Sequence, residues 1–485
     1  MLLTILLLLN GLLILYVICF NRKRQQKEPP LDKGFLPWLG HALEFGKNAA
    51  KFLTRMKEKH GDIFTVRVAG NYVTVLLDPN AFDGVLHDTV SLDVSRIRGL
   101  SIQKIFGLQM PNNMHTSERK WMEEQFKGVN LIELNSSMNI NLRNFLLNDG
   151  KTCSASEWKQ EGLFSLCYSL LFRAGYLTLF EGSNNAAAVY KEFRNFDNLL
   201  TQLARGSLKR EDIDISREKL WTFLSPQRTN GRMQSWKQSY QDFLNNEGVV
   251  EEMQTKALLL QLWTTQCNTG PAVFWFLGFL LTHPEAMEAV MSEIRGLSTL
   301  TDISLKRPSS KLMAEHSTPV FDSALRETLR LTAAVMIRRE VVQDKVLVMA
   351  NGQEYLLRRG DRVCLFPLLS PQMDPQIHPE PQCFKYDRFL NEDHTVKDTF
   401  YKNGKEVKYH TLPWGAGRSS CVGKEFAVKA IKQSVFLLLT HLDLELCDPE
   451  AKLPPVNPSR YGYGMLHPEG DLQVRFRLRR MYSDM

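Results

Sequence analysis

The chain has 485 residues, 44% of them hydrophobic and 23% charged, which is ample apolar material for a large buried core. Its net charge of +7 is a modest excess, and no interleaving of basic with aromatic residues marks a nucleic-acid binder. Eight cysteines, at positions 19, 153, 167, 267, 364, 383, 421 and 447, show no C-x-x-C pair and no compact framework, which excludes a disulfide scaffold and suits a reducing compartment.

Met1 to Phe20 is a nearly unbroken apolar run. About twenty helical residues cover roughly 30 Å, one hydrocarbon core. No basic residues precede the run, and Asn21-Arg-Lys-Arg24 follows it, so residues 1–20 read as a retained transmembrane helix with the remainder in the cytosol. The sequon Asn135-Ser-Ser137 would then never meet the glycosylation machinery. Residues 21–40 form a basic and proline-rich hinge, ending in Pro29-Pro-Leu-Asp-Lys-Gly-Phe-Leu-Pro-Trp-Leu-Gly40. Residues 41–485 read as one domain.

Within that domain, 63–78 alternates and predicts a hairpin turning at Gly70-Asn71. From about 112 to 300 the pattern is mainly helical, and the charged stretch from Arg205 to Lys219 reads as loop and helix ends. Residues 257–281 are apolar enough for a second span, but Gln261, Gln266, Asn268 and Pro271 point to a helix buried in protein. Pro271 has no N–H, so it frees a carbonyl and kinks that helix. Beyond 335 short strands and turns dominate, ending in a strand from Leu472 to Leu478.

Three motifs carry the chemistry. In Phe321-Asp-Ser-Ala-Leu-Arg-Glu-Thr-Leu-Arg-Leu331 a spacing of three puts Glu327 and Arg330 on one helix face, where they can pair. Pro381-Gln-Cys-Phe-Lys-Tyr-Asp-Arg-Phe389 then brings Arg388. Last comes Leu412-Pro-Trp-Gly-Ala-Gly-Arg-Ser-Ser-Cys-Val-Gly423. Its glycines allow tight turns around Cys421, with Trp414 placed to shield the sulfur on one side. After Gly423 an apolar helical pattern begins with Phe426, Ala427, Ala430 and Ile431, and a helix N-terminus beside the sulfur is expected to select thiolate over thiol.

In order and spacing these motifs resemble the cytochrome P-450 superfamily. The resemblance implies a mainly α fold with a smaller β-rich region, preceded here by the transmembrane helix. It implies haem b with Cys421 as axial thiolate, and a buried brace of Glu327, Arg330 and Arg388. It places the 257–281 helix over the haem, with Gly270-Pro271 where oxygen-activating members carry an acid and a threonine; neither residue relays a proton, although Thr264, Thr265 and Thr269 lie close by. From Thr264 to Pro284, and in segments such as Arg339-Glu-Val-Val342 and Ser459-Arg-Tyr-Gly-Tyr-Gly464, the chain resembles the branch that contains sterol 7- and 12-hydroxylases and an endoperoxide isomerase. The implied activity is conversion of prostaglandin H2 to prostacyclin by O–O homolysis and cyclisation, with no dioxygen and no obligatory redox partner. A sterol- or fatty-acid-hydroxylating monooxygenase is the alternative, and a non-catalytic haem sensor a remoter one.

Asn268 is expected to hydrogen-bond the endoperoxide, and Lys104, Met110, Arg338, Arg339 and Arg362 to line the substrate or propionate region. Most of the superfamily has Arg or His two residues before the cysteine, whereas this chain has Ser419. Propionate contacts are therefore expected from Arg339 and Arg418, with Lys120, Trp121 and Trp414 nearby. Partners implied are the lipid substrate and the endoplasmic reticulum membrane, with the catalytic domain in the cytosol.

Overall fold

The computed structural model describes residues 2–19, 22–111, 114–148, 157–180, 185–225, 235–300 and 317–479. Helices dominate, and the largest sheet has six strands in the order Leu31–Asp32, Ile63–Val68, Asn71–Leu76, Arg362–Leu365, Ile337–Val341, Leu92–Asp93. Its centre is the expected hairpin, in which Ile63 faces Leu76 and Val68 faces Asn71. A three-stranded sheet joins Leu442–Leu446, Gln473–Leu478 and Lys159–Gly162.

The helical core forms around Leu163–Phe180, whose apolar side chains are buried nearly all round. By length and composition that helix is able to cross a membrane, but 78% of its apolar window is buried inside the protein. The 257–281 segment is likewise buried, as two helices, Glu251–Gln266 and Thr269–Thr282, with a break at Cys267 and Asn268. Pro271 causes the break: it falls in the first turn of the second helix, where a missing N–H costs nothing, and deprives only the Cys267 carbonyl of its i+4 donor.

The expectation for Arg205 to Lys219 is corrected. The stretch is helical on both sides of a short connection, with Ala186–Arg205 before it and Arg210–Leu224 after it. Its charged residues are adequate helix formers, Leu220 and Leu224 bury the apolar stripe, and the buried Arg217 donates to the Lys104 and Ile105 carbonyls.

Asn135 lies in the helix Gly128–Arg143 and is 5% exposed, so its amide is closed to a glycosyltransferase in the folded chain. Among the described residues the cysteines at 167, 267, 364, 383, 421 and 447 are free. The basic segment after the N-terminal helix is docked on the body. Arg22 pairs with Asp361 at 2.5 Å and with Glu28 at 3.0 Å, and Leu31–Asp32 runs parallel to Thr65 and Val66. The helix Leu2–Cys19 itself exposes its leucines at positions 3, 6, 7, 8, 9, 12, 13 and 15.

Candidate active site

Cys421 stands at the end of a loop that the fold holds from two directions. Gly415 adopts φ +67°, and a Cβ there would lie 2.4 Å from the Ser419 carbonyl oxygen, so the turn tolerates only glycine. The Cys421 N–H closes that turn by donating to the Trp414 carbonyl at 2.8 Å. From the outside, Arg119 donates to the carbonyls of Arg418 and Ser420 and to the Ser420 Oγ. Lys424–His441 then begins directly after Gly423.

The second support is a buried ion cluster. Glu327 accepts from Arg330 Nε at 2.7 Å and Nη2 at 2.8 Å, and from Arg388 Nε at 2.9 Å to both carboxylate oxygens. Glu327 and Arg330 have no exposed side-chain surface, and Arg388 has 5%. The cluster reaches the cysteine loop through Gln372, whose side chain donates to the Arg330 carbonyl and accepts from the Leu412 N–H.

Above Cys421 lies a cavity of about 700 Å³. The structure brings Cys421, Asn268, Trp414, Lys104, Arg338, Arg339 and Arg362 to its wall, together with Ser419. Sequence reasoning missed Arg98 and Tyr463, which also line it. Arg98 belongs to no motif; its only signal is that it shares the helix Ser95–Phe106 with Lys104. Five cations thus face the cavity (Arg98, Lys104, Arg338, Arg339 and Arg362), and among the described residues no Asp or Glu does.

Four expected residues are not on this wall; one of them, Arg418, is exposed beside the cysteine loop, near enough to Arg339 to act on its charge. Trp121 packs its ring against Phe243, Tyr240 and Trp236, and Lys120 is exposed elsewhere. The neighbouring Arg119 reaches the cysteine loop instead, because each helical step turns the side chain by about 100°. Met110 is half-buried against the main core.

The positions on the broken helix also need correction. Gly270 and Pro271 do not face the cavity; Thr264, Asn268, Thr269 and Ala272 do. A Cβ on Gly270 would meet the Tyr168 Cα at 2.8 Å, so its small size serves the approach of Leu163–Phe180. Thr264 commits its hydroxyl to Gln261, so the Asn268 amide and the Thr269 hydroxyl are the polar groups at the centre of this wall, with no acid beside them. Asn268 Oδ1 accepts the Met465 N–H at 2.9 Å. That contact requires Gly464, since a Cβ there would fall 2.3 Å from Oδ1. An N–H at Met465 demands the amide oxygen, which fixes Nδ2 as the limb left for another acceptor.

The electrostatics of the wall are set by burial. Burial lowers the Arg339 pKa, the nearby Arg418 lowers it further, and Asp93 offsets only part of this. Arg339 is 2% exposed, yet its Nη2 has no hydrogen-bond partner. Burial also lowers Arg362, partly offset by Glu340. At Cys421 desolvation raises the thiol pKa, and the Gly423 amide, Arg119 and Lys424 work in the opposite direction.

A thiol-bearing loop braced by a buried Glu–Arg–Arg cluster beneath a broken helix defines the class, and the Cytochrome P450 family model matches residues 29–476. The chain belongs to the cytochrome P450 family. It is 48% identical over 478 residues to prostacyclin synthase of Rattus norvegicus, covering 94% of this chain and 95% of that one. It is 41% identical over 473 residues to the 7-alpha-hydroxycholest-4-en-3-one 12-alpha-hydroxylase of Homo sapiens, covering 94% of each. A solved structure described as retinoic acid bound cyanobacterial CYP120A1 superposes with a TM-score of 0.66 at 21% identity, covering 94% of this chain and all of that one, and shares the fold.

Membership brings a cysteine-ligated haem iron, and the residues present fit it. The sulfur faces a cavity large enough for a planar macrocycle, and the orphaned Arg339 Nη2 in the same wall calls for an anion such as a propionate.

Proposed function

We propose that this protein is a haem-thiolate isomerase that converts prostaglandin H2 to prostacyclin by endoperoxide homolysis and cyclisation, without dioxygen or a reductase. The observation that carries the reading is the five-cation, carboxylate-free wall around Cys421 and Asn268. Haem propionates account for part of that positive charge, and a lipid carboxylate accounts for the rest. A wall without an acid also suits a substrate that arrives with its O–O bond already made. The rat relative's name agrees with this reading. The 12-alpha-hydroxylase at 41% identity represents the alternative, but the sterol in its name is neutral and leaves the surplus cations unexplained.

When bound, the haem supplies the one-electron chemistry that breaks the weak endoperoxide bond and reoxidises the cyclised carbon centre. In this reading Cys421 ligates the iron, while Arg339 and Arg418 hold propionates beside Trp414. Asn268 Nδ2 donates to an endoperoxide oxygen, and Arg338, Arg362 and Lys104 draw the carboxylate end of the lipid. The apolar side chains of Ile102, Phe106 and Leu260 exclude water from the reacting atoms. The protein's main contribution is orientation.

Residues 1–20 are the membrane anchor, 21–40 the connecting segment and 41–485 the catalytic domain. The eighteen-residue helix Leu2–Cys19 is about 27 Å long at 1.5 Å per residue, enough to cross a bilayer core as a single pass in the endoplasmic reticulum, with the catalytic body in the cytosol.

The reading is tested by purified protein mixed with the endoperoxide alone. Cyclised product without NADPH or a reductase supports it, and an absolute need for both favours the hydroxylase. Within the site, Asn268→Ala is expected to lower kcat/KM about threefold to tenfold with the haem retained, the worth of one neutral hydrogen bond. Unchanged steady-state kinetics would move the polar contact to another residue.

A further inference from the structure

The break that presents Asn268 is held from outside the helix. Pro271 deprives the Cys267 carbonyl of its usual donor, and the Tyr168 hydroxyl lies 3.4 Å from that oxygen. The same hydroxyl lies 3.4 Å from Asp197 Oδ2. The one hydroxyl proton is shared between these two acceptors, and Asp197 Oδ1 accepts from the Trp263 indole N–H at 3.1 Å, which ties the carboxylate to the helix before the break. Asp197 is fully buried and is itself held by Arg460 and Arg194. Burial pushes its pKa up, but Arg460, His467 and Arg194 outweigh that and leave it below its usual range. Arg460 lies in the same terminal segment as Gly464 and Met465, which fix the Asn268 amide.

We infer that Tyr168 is a positioning residue for Asn268: with Asp197, Arg460 and Trp263 it fixes the helix break from outside, and so sets where the Asn268 amide meets the substrate. This rests on the proposed endoperoxide reaction only for its kinetic consequence. Tyr168 is fully buried and packs directly on Gly270, two residues beyond Asn268, so the tether is short. Its ring stays in place in Tyr168→Phe, and only the hydroxyl is removed.

The test is a double-mutant cycle of Tyr168→Phe and Asn268→Ala in the full-length haem protein. Tyr168→Phe is expected to raise KM for the endoperoxide about threefold to tenfold with kcat and haem content little changed. In the Asn268→Ala background it should add less than about twofold, because both act through one amide. In a Pro271→Ala background, where the backbone N–H is restored, removing the hydroxyl should again matter little. Hydrogen exchange of the peptide spanning 264–270 reads the tether without substrate, and it should quicken there in Tyr168→Phe. If wild type leaves the endoperoxide unchanged but exchange still quickens, the proposed function fails and the positioning role stands. Unchanged exchange, or fully additive kinetic losses, would overturn the positioning role. Should Tyr168→Phe not retain haem, Asp197→Asn, which lies off the cavity wall and keeps the side chain's shape, takes its place, and exchange of the 264–270 peptide should again quicken.

Discussion

Replacing Cys421 by alanine is expected to abolish thiolate ligation and reduce turnover to background. Among the described residues no other cysteine and no histidine lines the cavity, and Met336 and Met465 offer only neutral thioethers. Tyr463 also lines the cavity, but burial raises its pKa and disfavours the phenolate, so no neighbour supplies a thiolate in its place. Losing a single preorganised hydrogen-bond donor at an active site commonly costs about 10²–10³ in rate, and losing the metal ligand should exceed that. The ferrous–carbonyl spectrum reads the outcome directly. A thiolate-type Soret band retained in Cys421→Ala would refute the ligand assignment.

The second large effect is expected from Glu327→Gln. The glutamine keeps the shape of the side chain but leaves Arg330 and Arg388, both nearly without exposed surface, with no counter-charge. Breaking a buried pair by neutralising one partner costs about 3–5 kcal/mol. The loss should spread to the haem, because Arg330 connects through Gln372 to Leu412 at the start of the cysteine loop. A lower denaturant midpoint and faster haem release on warming would show it, with release rate the safer measure where unfolding is irreversible. A change below about 1 kcal/mol, the worth of an exposed pair, would mean that the cluster does not brace the loop.

What the sequence made legible was local. Cys421 with its glycines, the three-residue step from Glu327 to Arg330, and the kink at Pro271 each follow from neighbours along the chain. Arg98, Arg119 and the Asp197–Arg460 pair were not legible, because their partners are distant in sequence: Asp197 and Arg460 lie 263 residues apart. Lys120 and Trp121 were expected beside the cofactor, whereas it is Arg119, one and two positions earlier on the helix, that reaches the cysteine loop. Arg205 to Lys219 was read as loop and helix ends because its polar content hid a helix that runs on to the buried Leu220 and Leu224.

The most direct test of the central claim is anaerobic mixing of the ferric protein with prostaglandin H2, in the absence of NADPH and reductase, following prostacyclin through its hydrolysis product. A wall with no carboxylate offers no acid for the productive cleavage of bound dioxygen, whereas the endoperoxide needs only a metal electron that is returned on closing the cycle. Product forming at the same rate with and without air is the predicted result. Product that appears only with reductase, NADPH and air would contradict the isomerase account and put a monooxygenase in its place.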